Sequence, residues 1–89
     1  MRFQVLYHPD ALKDIERLVK TGNKGLIKKL EQLIEELETH PETGTGKPER
    51  LKGNLSGLWS RRINQEHRLV YSIDGQKILV TVIAAYGHY

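Results

Sequence analysis

Six apolar residues, Leu26, Ile27, Leu30, Leu33, Ile34 and Leu37, recur at helical steps, and Lys28, Lys29, Glu31, Glu35, Glu36 and Glu38 fill positions between them. That spacing predicts a helix with one apolar face, ended by His40 and Pro41. Such a helix constrains everything around it, because its stripe has to be buried. The stripe covers fewer than two heptads, too short for a zipper, so the surface it lies on must come from the same chain. With 89 residues there is room for one domain, residues 1–89, and one modest core.

The remaining periodicities are those of strands and one more helix. "RFQVLYH" alternates Phe3, Val5 and Tyr7 against Arg2, Gln4 and Leu6, as a half-buried strand does. From Pro9, which suits a first helical turn, Leu12, Ile15, Leu18 and Val19 take up helical spacing until Thr21, Gly22 and Asn23 interrupt it. "PETGTGKPERLKGNLSG" is then a long connection, with Leu51 and Leu55 placed to pin it to the core. "LWSRRIN" and "HRLVYSI" follow as strands around a turn near Gln65 and Glu66, and Asp74-Gly75 marks a hairpin into "KILVTVIAAY". Both faces of that last strand are largely apolar, which predicts a central place in the sheet. The order is β-α-α-β-β-β: an α+β fold with two N-terminal helices packed on a small twisted antiparallel sheet.

Within a strand, residues of one parity share a face. Leu69, Tyr71 and Ile73 make the better core set, which turns Arg68 outward, while Ser60, Arg62 and Asn64 make the wetter face of the preceding strand. Arg62 and Arg68 then share one exposed surface if the turn keeps its register. Arg61 has the parity of Trp59 and Ile63, which places it at the sheet's edge, still among the candidate phosphate-binding cations of this segment.

Charge supports an anion-binding surface there. The net charge is only +3, but residues 44–68 hold six of the 14 basic residues and two of the 11 acidic ones, while the rest of the chain carries eight basic against nine acidic. The positive excess is confined to one segment, as recognition of a polyanion requires.

Other classes are excluded by what the sequence lacks. There is no cysteine, so no disulfide, thiol nucleophile or Cys-based metal site. No apolar run approaches the ~20 residues that cross a bilayer and the N-terminus has no signal-peptide core, so a cytoplasmic protein without membrane contact is expected. Histidines paired as metal ligands, a carboxylate cluster and a phosphate-binding glycine loop are all missing, so no metal and no cofactor are expected.

What remains is Glu49 in a basic loop, Arg62 and Arg68 on the sheet, and His88 and Tyr89 at the end. These are the parts of a metal-free phosphodiester transesterification: a base for a ribose 2′-hydroxyl, cations for the phosphorane charge and an acid for the departing 5′-oxygen. Ordinary readings stand beside it, since loop glutamates are usually solvated and terminal residues usually frayed. On the residues alone, an RNA-cleaving site, a non-catalytic RNA- or DNA-binding module and a subunit that docks an acidic partner all remain open.

The run "GKPERLKGNLSGLWSRRINQEHRLVYSI", with the terminal "HY", resembles the signature of the YoeB/Txe branch of the RelE-type bacterial toxins. The resemblance is strong over residues 44–89 and rests on pattern alone before them. It implies a RelE-like, microbial-ribonuclease-like α+β fold and the toxin of a toxin–antitoxin pair, an endoribonuclease that cleaves mRNA in the ribosomal A site. It implies Glu49 as general base, His88 as general acid and Arg68 as stabiliser of the transition-state phosphate. Lys52 and Arg62 would bind phosphate, with Lys47 and Arg61 as further RNA-binding cations, and Tyr89 would position the RNA or the acid. The implied partners are a cognate antitoxin, mRNA, the ribosome and a second copy of the chain.

Overall fold

The computed structural model describes residues 2–87. Strand β1 (Gln4–Tyr7) leads into helix α1 (Pro9–Lys20) through His8, whose Nδ1 accepts the Asp10 N–H at 3.1 Å, and Pro9 takes the first turn, where its missing N–H costs nothing. Helix α2 (Lys24–Thr39) starts at Asn23, whose Oδ1 accepts the Leu26 N–H at 3.1 Å. Both helices begin and end where sequence spacing and caps place them. Leu26, Leu30, Leu33 and Leu37 of α2 join Ala11 and Leu18 of α1 in one buried cluster with Leu69, Tyr71, Val80 and Val82. Each such leucine contributes roughly 1.5–3 kcal/mol by its burial. Periodicity was a poorer guide in α1, where Leu12 and Val19 remain 54% and 48% exposed.

Four more strands follow: β2 (Glu49–Arg50), β3 (Leu58–Arg62), β4 (Arg68–Asp74) and β5 (Leu79–Ala84), in the sheet order β1-β5-β4-β3-β2. Strands β3, β4 and β5 form the expected antiparallel meander, and β5 lies inside the sheet. The antiparallel expectation is corrected at one edge. β1 runs parallel to β5, pairing Gln4 with Leu79 through Tyr7 with Val82. No hairpin joins these two strands; two helices and three strands separate them in the chain, and such a long crossover is what parallel neighbours need. The opposite edge gains β2 from the loop, with Glu49 opposite Ser60 and Arg50 opposite Trp59.

The pairings sort the side chains onto two faces. Trp59, Arg61, Leu69, Tyr71, Val80 and Val82 lie on the face that carries the buried cluster with the helices. Glu49, Ser60, Arg62, Arg68 and Val70 share the other face. A bulge between Val70 and Tyr71 pairs Val70 with Ala84 and Tyr71 with Val82, leaving Ile83 as the extra residue. No described helix is long and apolar enough to cross a membrane.

Candidate active site

The loop that carries the candidate base is anchored from below by a buried arginine. Arg61 has no solvent exposure, and the protein satisfies every N–H of its guanidinium. Nε donates to the Tyr71 hydroxyl (3.0 Å), Nη1 to Glu36 Oε1 (2.9 Å) and the Thr45 carbonyl (3.3 Å), and Nη2 to the carbonyls of His40 (2.6 Å) and Thr43 (2.7 Å). Arg61 is therefore no RNA ligand in this structure, and its expected place among the phosphate-binding cations is corrected. Its parity with Trp59 and Ile63 turns it inward, and residues far away in sequence supply the partners that make burial tolerable. Burial alone would raise the Glu36 carboxyl, but hydrogen bonds from Thr45 and the Arg61 guanidinium outweigh it and hold the group below its ordinary 4.5. The Tyr71 hydroxyl is pushed above 10.0, chiefly by burial, and donates to the Pro41 carbonyl at 2.7 Å.

Gly46 completes the anchor. Its carbonyl accepts the Arg62 N–H at 2.6 Å, and a Cβ there would stand 2.8 Å from the Arg62 carbonyl oxygen and 3.1 Å from Leu33 Cδ2. With φ at +85°, only glycine suits the position. The core-pinning expected of Leu51 and Leu55 is replaced by this arrangement: both are half-buried, and neither belongs to the core cluster.

On the open face, Arg68 Nη1 donates to Glu49 Oε1 at 2.8 Å and to the Ser60 hydroxyl at 3.2 Å. The Arg68 side chain is 20% exposed and that of Glu49 56%, so the pair joins a largely covered cation to a wet carboxylate. Ser60 and Val70, both buried, lie beneath it. Arg62 is the direct cross-strand partner of Arg68, which confirms the register on which their shared face depended. Lys47 and Lys52 are exposed, Lys47 at a positive φ of 52° and Lys52 ahead of the 3₁₀ turn Gly53–Leu55. His88 and Tyr89 lie outside the described residues.

The chain leading to them is tightly held. The Ala85 N–H donates to Asp14 Oδ2 at 3.1 Å. The Tyr86 ring contacts both the Arg17 guanidinium, 3.7 Å from its centroid, and the His67 ring, centroid to centroid 4.5 Å. The Gly87 N–H donates to His67 Nδ1 at 2.9 Å, and the Gly87 carbonyl accepts the Arg68 N–H at 2.8 Å. Sequence reasoning assigned His67 no more than a place in the hairpin that leads into "HRLVYSI". The signal for more was its place immediately before Arg68, where its ring can reach the returning end of the chain.

A carboxylate and a guanidinium thus meet on a solvent-facing surface, and the last described residue is fixed to the backbone of that same arginine. Comparison with known proteins agrees with the resemblance read from the sequence. The model of the YoeB-like toxins of bacterial type II toxin–antitoxin systems matches residues 7–89. The toxin YoeB of Synechocystis is 51% identical over 68 residues, covering 76% of this chain and 77% of that one. Among solved structures, the YoeB/ParE toxin from Agrobacterium tumefaciens superposes with a TM-score of 0.88 at 36% identity over 98% of this chain and all of that one. The Staphylococcus aureus YoeB, solved in complex with YefM, matches at a TM-score of 0.80 and 37% identity over the whole of both chains, and as a dimer at 0.82 and 36% over the whole of both. The chain described here belongs to the YoeB-like toxins of bacterial type II toxin–antitoxin systems.

Proposed function

We propose that the protein inhibits translation as a metal-independent endoribonuclease, cutting mRNA in the ribosomal A site. The observation that carries this reading is the Glu49–Arg68 contact of 2.8 Å on the open face, with Gly87 bonded to the Arg68 backbone. Glu49 takes the proton of a ribose 2′-hydroxyl, whose oxygen attacks the adjacent phosphorus. Arg68 holds the charge of the phosphorane, and His88 returns a proton to the 5′-oxygen as its bond to phosphorus breaks. The products are a 2′,3′-cyclic phosphate and a free 5′-hydroxyl. Arg62, Lys47 and Lys52 bind the RNA backbone, and Tyr89 positions the RNA or the acid.

The ion pair also supplies a resting partner for each group. Entry of a phosphate would draw Arg68 away from Glu49 and leave the carboxylate free to act as a base. In the cytoplasm, an antitoxin covering this basic face would silence the protein, and a homodimer is a further expected assembly.

Primer extension on mRNA from cells producing the wild type or Glu49→Ala tests the reading. Sharp cuts should appear with the wild type and fall roughly 10²–10⁴-fold in the variant, the range for loss of one positioned acid or base. Undiminished cuts with Glu49→Ala remove the base assignment, and binding without cuts by the wild type makes the protein a binder. His88→Gln should likewise abolish cleavage and growth inhibition while leaving the fold intact.

A further inference from the structure

We propose that a cleft that adjoins the open face through Arg62, and is lined by Lys29, Gly46, Lys47, Arg62, Ile63, Asn64 and Gln65, is a nucleotide subsite that holds the phosphate next to the cleaved bond; this rests on the endoribonuclease reading. The cleft has a volume of about 400 Å³, within the ~300–1,000 Å³ range of small-molecule sites.

Its chemistry is one-sided. Lys29, Lys47 and Arg62 line it, and no carboxylate does. None of these three side chains has an ion-pair or hydrogen-bond partner among the described residues, whereas Arg61 and Arg68 are both engaged. Asn64 Oδ1 is occupied by the N–H groups of Glu66 and His67, each at 2.8 Å, so its amide nitrogen is the part left to offer. Gln65, also in the lining, offers both an amide oxygen and an amide nitrogen, but every charged group of the cleft is a cation, which suits an anion. Ile63, only 4% exposed, and Gly46 close the cleft towards the core.

The backbone is committed to this shape. Lys47 adopts a left-handed φ of 52°, a conformation uncommon for a residue with a side chain. Gly46 beside it packs against β3 so closely that no side chain fits. Arg62 belongs both to the cleft and to the face it shares with Arg68, so a strand bound at Arg68 meets the cleft within one cross-strand pair. That continuity favours RNA over an acidic peptide.

The test is titration of the purified protein with a trinucleotide that carries a 2′-deoxyribose at the attacking position and a phosphate at each end, at several salt concentrations. Lys29→Ala is compared with Lys28→Ala, which removes the same charge from an exposed position of α2 outside the cleft. Lys29→Ala should weaken binding several-fold and lower the salt slope by about 0.7, the value for one phosphate contact on a single strand. Lys28→Ala should match the wild type, and thermal melts should show all three proteins folded. Equal slopes for the two variants overturn the subsite while leaving mRNA cleavage by the wild type, and the endoribonuclease reading, intact. A wild type that cuts mRNA but does not hold the trinucleotide also overturns the subsite alone, whereas one that neither binds nor cuts overturns both. Loss of antitoxin affinity in Lys29→Ala with RNA binding unchanged makes the cleft a protein-docking site instead.

Discussion

Arg61, Arg62 and Arg68 differ in how much of each guanidinium the protein itself satisfies. Arg61 spends all its donors on the Tyr71 hydroxyl, a carboxylate and three carbonyls. Arg68 binds one carboxylate and one hydroxyl, and Arg62 has no side-chain partner among the described residues. That gradient separates a structural arginine from two that keep donors for a ligand. Arg61→Leu would take the counter-charge from the Glu36 carboxylate, itself 15% exposed, and the donors from the carbonyls of His40 and Thr43. It should therefore cost up to about 3 kcal/mol in urea unfolding, the low end of the range for removing one partner of a buried ion pair, since water still reaches Glu36. Arg62→Leu should stay within about 0.5 kcal/mol of the wild type, because it breaks no side-chain hydrogen bond or ion pair among the described residues. Equal losses from the two would mean that Arg61 does not carry the loop.

At the scale of elements, the feature that organises the site is the segment after β5. Its three described residues, Ala85, Tyr86 and Gly87, are tied in turn to Asp14, to Arg17 and His67, and to His67 and Arg68, so both α1 and β4 hold it. His67→Ala removes both the ring under Tyr86 and the acceptor for the Gly87 N–H. If the segment delivers His88, the turnover number should fall by up to roughly 10²-fold, the cost of a misplacement near 1 Å, while KM for RNA holds. His67→Gln can restore an acceptor and should recover part of that loss; a change in KM alone would count against the role. This segment was not legible in the sequence, because three residues have no period and their partners lie far away along the chain. The helices and the β3-β4-β5 meander were legible, since stripe, alternation and turn residues agree there. Strand β2 was not, having only two residues, and neither was the parallel pairing of β1, since a strand's own residues do not name its neighbour. Arg61 was misjudged because its parity pointed inward while its charge argued for solvent, and the deciding partners, Glu36 and the 40–45 turn, lie 16–25 residues before it.

For the molecule as a whole, the same buried network sets how stability responds to pH. The Glu36 carboxyl lies below its ordinary 4.5 in the folded state, so the unfolded chain takes up its proton first as pH falls. The stabilisation is fully present above about pH 5 and is lost as pH drops through the folded value. Glu16, held low by Lys20, is bathed in water and adds little. At the alkaline end the signs reverse. Burial raises both Tyr71 and Tyr7 above 10.0, so the unfolded chain ionises first and stability declines as pH rises past about 10. Urea midpoints should therefore form a plateau between these limits and fall on either side. Glu36→Gln should lower the plateau, because Arg61 keeps its burial and loses its counter-charge. Its curve should then converge on the wild type at the acid end, once pH lies below the folded value and Glu36 is protonated in both states. Curves that run parallel throughout the acid limb would place the acid sensitivity in some other carboxyl, and would uncouple the anchoring of the Glu49 loop from the charge on Glu36.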